Sequence, residues 1–201
     1  EVINPGVTTV AMDDDHAKLL TAKFKLNKKY FIYVGTLEPR KNISSVIKAF
    51  DRYHHDYPET ELVIVGSKGW VYRNILRDIG RRKYVRYLGY VLSPTKDALY
   101  HLSQGLIWPS FYEGFGFPPM EATWHKKPVI VSYKTSLPEI MQQQALYVDP
   151  YNISDIYQTL KALTKDEQLV KDLQNSAKKF KVPKWDKQAA KMIKLFSSFK
   201  Q

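Results

Sequence analysis

Between Tyr30 and Val148 the apolar residues fall into short continuous runs, each followed by a stripe at helical spacing. Tyr30 to Gly35 is unbroken and closes on a glycine, the pattern of a strand covered on both faces. Glu61–Gly66, Val85–Gly89, Gln104–Trp108, Pro128–Ser132 and Ala145–Val148 repeat the theme. A helix capped by Asn42 is expected between the first two, with Ile43, Val46, Ile47, Phe50 and Tyr53 on one face. Further helices are expected over Trp70–Arg82, from a cap at Ser93 to Ser103, from Pro118–Pro119, where proline suits a first turn, and briefly from Ser136. Strand and helix in alternation predict an α/β fold: a Rossmann-like, doubly wound parallel sheet of about six strands.

Outside this core the pattern changes. After Pro150 the chain reads as helical, with one stripe at Ile153, Ile156, Tyr157, Leu160 and Leu163 and another at Leu169, Leu173, Ala177 and Phe180. Pro183 breaks the run, and Trp185–Phe199 forms a last basic helix. At the other end, Val2–Val7 reads as a short strand and turn, and Asp13–Lys25 as a polar helix. With no repeat and no low-complexity linker, residues 1–201 are expected to form a single domain: an N-terminal segment over 1–29, an α/β core over 30–150 and a helical part over 151–201.

Composition narrows the class. A chain that is 44% hydrophobic can bury a full core. With no cysteine there is no disulfide scaffold or thiolate metal site, which fits a reducing compartment. No apolar run nears the roughly 20 residues that span a bilayer. The chain opens on Glu1 rather than Met, so a fragment is expected. The formal net charge of +11 favours an anionic partner: nucleotide phosphates, an anionic membrane surface, an acidic polymer or nucleic acid.

Candidate chemistry gathers where predicted strands end. Ser110-Phe-Tyr-Glu-Gly-Phe-Gly-Phe-Pro-Pro-Met-Glu-Ala122 places Glu113 in a loop and Glu121 on the following helix. Gly114 and Gly116 leave the backbone free to approach a ligand at a helix N-terminus. A glycosidase pair would need carboxyls about 5–9.5 Å apart, whereas eight partly helical residues set these about 10 Å or more apart. Two grips on one ligand, each accepting hydrogen bonds from a sugar diol, fit better. Gly35-Thr-Leu-Glu-Pro-Arg-Lys-Asn42 likewise joins a strand to a helix and sets Arg40 and Lys41 at that helix's positive end, where a diphosphate would meet both. Gly66–Trp70 and Gly89–Val91 finish at the same edge. There is no Walker pattern and no complete dinucleotide glycine motif. His54 and His55 point apart, and His16, His101 and His125 read as isolated, so no metal site is expected. The basic stretches read as solvated faces or a membrane contact. The strands lack the aromatic signature of an RNA-binding sheet, so no nucleic acid is expected.

At these residues the sequence resembles the retaining GT-B glycosyltransferases of family 4, and specifically their C-terminal "glycosyl transferases group 1" domain. The carrying elements are Tyr33–Asn42, Val63–Trp70, Pro109–Ala122, Pro128–Val131, Ser136–Glu139 and Val148–Pro150, in that order along the chain. The resemblance implies that Glu113 faces the donor sugar, Glu121 the ribose, and Arg40 and Lys41 the diphosphate. It implies that Tyr90, Val91 and Lys96 lie at the base, and that Gly114, Phe115, Gly116 and Phe117, with Gly35 and Thr36, line the sugar and phosphates. It implies glycosyl transfer from a GDP-mannose-like or UDP-linked donor to a saccharide or lipid-linked acceptor in polysaccharide or glycoconjugate synthesis, with no cofactor. It also implies an N-terminal acceptor domain that this chain lacks, little activity without that half, and a cytoplasmic place, peripheral on the inner face of the plasma membrane. Many relatives carry arginine where Thr36 stands, and a Gly-Asp where Gln142-Gln143 stands. The alternative is a non-catalytic nucleotide-sugar-binding or scaffolding subunit.

Overall fold

The structure is a computed structural model that describes residues 2–200; Glu1 and Gln201, the ends of the expected domain, lie outside the described residues. Six strands form one parallel sheet: β1 (Lys29–Val34), β2 (Thr60–Val65), β3 (Val85–Gly89), β4 (Leu106–Trp108), β5 (Val129–Ser132) and β6 (Leu146–Val148). Their spatial order is β3-β2-β1-β4-β5-β6. The helices are α1 (Asp14–Thr21), α2 (Ile43–Asp56), α3 (Tyr72–Gly80), α4 (Ser93–Leu102), α5 (Phe117–Trp124), α6 (Leu137–Met141), α7 (Ile153–Lys165), α8 (Glu167–Lys179) and α9 (Trp185–Ser197).

β1 buries every residue from Tyr30 to Val34 without alternation, because α2 with α3 and α7, and α4 with α1 and α5, form the packed layers around the sheet. The expected stripe of α2 is buried at Ile43, Val46, Ile47, Phe50 and Tyr53. Strand order reverses between β1 and β4, so the segments leaving these neighbours diverge and open a crevice at their C-terminal ends.

Across that crevice the two loops are stitched together. The Trp108 indole donates to the Val34 carbonyl at 2.7 Å, and the Phe111 N–H donates to the Arg40 carbonyl at 3.0 Å. Asn42 was expected to cap α2 with its side chain. It occupies the cap position, but with φ of 57°, and its buried amide instead donates to the carbonyls of Pro109 (2.9 Å) and Pro150 (2.7 Å). Both carbonyls lie in irregular loops outside the strand ladders, so a side chain supplies their donor.

Other expectations shift for physical reasons. Val2–Val7 pairs with no strand; its end is held by the Val7 N–H donating to the Pro183 carbonyl at 2.8 Å. Ser93 is the first residue of α4 rather than its cap, Leu92 holding the cap position. α3 starts at Tyr72, two residues after Trp70, because Val71 adopts φ of 54°. The last helix forms as expected, but Trp185, Ile193 and Phe196 stay more than half exposed.

Asn42→Ala strands two buried carbonyls, each worth about 1–3 kcal/mol. The expected outcome is a loss of about 2–4 kcal/mol, read as a lower urea midpoint at unchanged slope. A midpoint equal to wild type would show that the amide does not hold the crevice together.

Candidate functional site

Arg40 and Lys41 sit in a 3-10 turn (Pro39–Lys41) between β1 and α2, and Glu113 in the loop between β4 and α5. The switch in strand order sets these loops face to face. Lys41 Nζ lies 2.6 and 2.9 Å from the two oxygens of Glu113 and 4.6 Å from the Trp108 ring centroid. Arg40 reaches Glu113 Oε2 at 3.4 Å, donates to the Tyr112 carbonyl at 2.7 Å, and binds Glu38 at 2.6 Å. Only 7% of the Glu113 side chain and 12% of that of Lys41 is exposed, so this is a largely desolvated pair. Its backbone is fixed as well: the Glu113 N–H donates to Thr135 Oγ1 at 3.1 Å, and Ser136 Oγ donates to the Glu113 carbonyl at 3.0 Å.

Glu121 forms a second pair. It lies one helical turn into α5, buried, with Lys96 Nζ 2.6 Å from Oε1 and the Tyr100 hydroxyl 3.1 Å from Oε2. Between the two glutamates the chain makes a glycine turn. Gly116 has φ of +105°, a conformation that calls for glycine, and a Cβ there would also have to displace Leu137 Cδ2, 2.8 Å away. The rings of Phe115 and Phe117 meet edge to face at 5.1 Å beside it, and Gly114 is exposed.

Tyr33 and Tyr100 lie fully buried next to these charges. Burial first, then Glu113 and Glu38, push the Tyr33 phenol well above its usual pKa. Burial, then Glu121, do the same to Tyr100. Both therefore remain protonated donors at neutral pH. Tyr33 donates to the Lys41 carbonyl at 3.2 Å.

The structure thus brings Arg40, Lys41 and Glu113 into one cluster between the loops after β1 and β4, and Lys96 and Glu121 into another between α4 and α5. Gly35 and Thr36 end β1 beside them, with Gly66 close on Gly35 and Gly69 on Thr36. Tyr90 and Val91 lie in the β3–α4 connection, Tyr90 being 72% exposed, and neither reaches a charged group by side-chain hydrogen bonding. Sequence reasoning missed Glu38, Trp108, Tyr100 and Thr135. A signal existed for Tyr100: it lies four residues after Lys96 on a predicted helix, hence on the same face. The histidines are also less isolated than expected. His125 pairs with the fully buried Asp97 at 2.9 Å, and His101 with Asp14 at 2.8 Å. Among the described residues no group of three or more His, Cys, Asp or Glu is placed to hold a metal ion. A cavity of about 330 Å³ opens at the opposite strand edge, lined by Lys29, Phe31 and Tyr53.

These features coincide with a known family. The "Glycosyl transferases group 1" family matches residues 18–180, and the chain belongs to it. Its fold is that of the C-terminal half of GT-B glycosyltransferases. It is 37% identical over 134 residues to O-antigen chain mannosyltransferase B of Escherichia coli, covering 63% of this chain and 34% of that protein. It is 33% identical over 128 residues to O-antigen chain mannosyltransferase RfbU of Salmonella typhimurium, covering 63% and 36%. The chain thus spans about a third of the length of these curated relatives. Among solved structures, a glycosyltransferase from Rickettsia africae superposes with a TM-score of 0.86 at 17% identity, over 98% of this chain and 56% of that one. Anabaena Alr3699/HepE, in complex with UDP and glucose, superposes with a TM-score of 0.77 at 17% identity, over 93% and 53%. No helix among the described residues is long and apolar enough to cross a membrane.

Lys41→Met leaves a buried carboxylate with only the more distant Arg40. A loss of at least about 2 kcal/mol is expected, partly restored when Glu113→Gln is added. Urea unfolding of the two single variants and the double variant measures the coupling, and a coupling near zero would show that the pair contributes no net attraction.

Proposed function

We propose that this chain is the donor-binding domain of a retaining glycosyltransferase that takes a nucleoside-diphosphate sugar, mannose-like and GDP-linked or else UDP-linked, and passes the sugar to a saccharide or lipid-linked acceptor. The domain covers 1–201 and works with an N-terminal acceptor domain, in the same chain or a separate subunit, without which transfer is weak. The mannosyltransferase relatives and the UDP-bound neighbour support this reading. The observation that carries it is the pair of lysine–glutamate contacts, Lys41–Glu113 between the two loops at the switch point and Lys96–Glu121 between α4 and α5.

In this reading Lys41 and Arg40 take the diphosphate, and Glu113, released from Lys41, accepts a hydrogen bond from the donor sugar. Glu121 accepts the ribose hydroxyls, while Tyr90 and Val91 lie along the base. The backbone of Gly114–Phe117 offers N–H groups at the start of α5. As the sugar–oxygen bond breaks, negative charge grows on the leaving diphosphate. Cations already fixed there stabilise it without reorganising, which is the principal catalytic lever when the acceptor attacks from the leaving-group face. A net charge of +11 is suited to an anionic donor and to a peripheral place on the inner face of the plasma membrane, in polysaccharide or glycoconjugate synthesis.

Calorimetric titration with GDP-mannose and UDP-glucose tests it. One of the two should bind, Glu121→Ala should weaken that binding about tenfold or more, and Glu113→Ala should chiefly impair transfer in the full enzyme. Absence of binding by any GDP- or UDP-sugar would refute the proposal.

A further inference from the structure

The two oxygens of Glu121 are held by two donors from one helix. Lys96 and Tyr100 are one turn apart on α4, and they take Oε1 at 2.6 Å and Oε2 at 3.1 Å. We propose that Tyr100 is a positioning residue for nucleotide recognition: with Lys96 it fixes the rotation of the Glu121 carboxylate, so that the oxygens' remaining lone pairs present a fixed receptor to a ribose diol. The proposal rests on the donor-binding reading above and adds what makes Glu121 discriminate a diol from other polar ligands.

Three observations support it. A carboxylate has about four acceptor sites, so one donor on each oxygen leaves a second site on each for a vicinal pair of hydroxyls. Rotation of the carboxyl group about its last bond would otherwise be broad, and a single lysine, a compact point charge on a flexible stem, does not define it. Tyr100 does: its side chain is 0% exposed and its ring stacks 6.0 Å from that of His125, which ends α5. Its hydroxyl has one recorded partner, Glu121, so it is not a shared structural bond. Burial keeps the phenol protonated, so the donor persists across the neutral range. Lys96, expected near the base, also holds Glu121.

The test is calorimetry on the 201-residue chain with UDP and GDP, each against its 2′,3′-dideoxy counterpart. Wild type should prefer the ribose form of whichever nucleotide binds, and Glu121→Gln should lose most of that preference. Tyr100→Phe, which keeps the ring and removes only the hydroxyl, should cut the ribose-to-dideoxy ratio by about tenfold while binding of the dideoxy form stays near wild type. Lys96→Met should reduce the same ratio. A role confined to packing would lower the urea midpoint of Tyr100→Phe and leave the ratio at its wild-type value, which overturns the inference while the donor-binding reading stands. A wild-type chain that binds neither nucleotide overturns both. A Glu121→Gln chain that keeps the full preference overturns the ribose role of Glu121, and with it that of Tyr100.

Discussion

One constraint organises this molecule: two neighbouring parallel strands send their chains in opposite directions, and the divergence must be closed without a sheet to close it. A gap at the ends of β1 and β4 exposes carbonyls that no ladder can satisfy, and burying them unpaired would be unfavourable. The fold answers with side chains. Asn42 spans to Pro109 and Pro150, and Trp108 spans to Val34. These bonds place residue 41 of one loop against residue 113 of the other. The charged cluster is thus a consequence of how the switch point is sealed: Lys41 and Glu113 meet because their neighbours in sequence are already tied.

The sealed crevice is electrically compensated before any ligand arrives. Arg40 is shared between Glu38 and Glu113, Lys41 is held by Glu113, and Lys96 by Glu121. Unpaired, each buried charge would be strongly unfavourable; paired, each contributes little net stability but keeps its geometry. On the donor-binding reading proposed above, a ligand carrying phosphate competes with Glu113 for Lys41 and Arg40. It gains only the difference between two ion pairs, and so depends on its other contacts for affinity. Such exchange favours ligands that bind at both ends of the crevice and disfavours simple anions.

Much of this was legible in the sequence. Short continuous apolar runs, three of them ending in glycine, marked the six strands, because a buried parallel strand has few other ways to read. Arg40, Lys41 and Glu113 were found because they lie in loops that follow predicted strands, and Glu121 because it falls on the helix after one of those loops. The partners were not. Glu38 and Thr135 reach the site through turns whose direction depends on tertiary packing, and Trp108 reads as ordinary core. Asn42 misled for a related reason: its type suits a helix cap, but a better-buried pair of acceptors lay in loops 67 and 108 residues away along the chain. Local preference yields when distant carbonyls need a donor. The buried Asp97–His125 pair shows the same limit, since nothing in the spacing of two residues 28 apart marks them as contacts.

That pair also extends the argument from the crevice to the rest of the chain. Asp97 follows Lys96 on α4, and His125 lies one turn beyond Glu121 at the end of α5. The two helices are therefore bolted twice, once by Lys96 and Tyr100 on Glu121 and once by Asp97 on His125. Contacts one turn apart on α5 resist rotation and sliding, where one would leave a pivot. The second oxygen of Asp97 accepts the N–H of Val10 at 3.1 Å, so the N-terminal segment is anchored to the same helix. A few residues earlier that segment packs its Gly6 against Trp185 at the start of α9, so closely that a Cβ would lie 2.3 Å from the Trp185 nitrogen. The N-terminal segment is thus tied at one point to α4 and at another to the start of α9. Because α4 also carries both donors to Glu121, the anchor of the N-terminal segment and the orientation of that carboxylate share one helix.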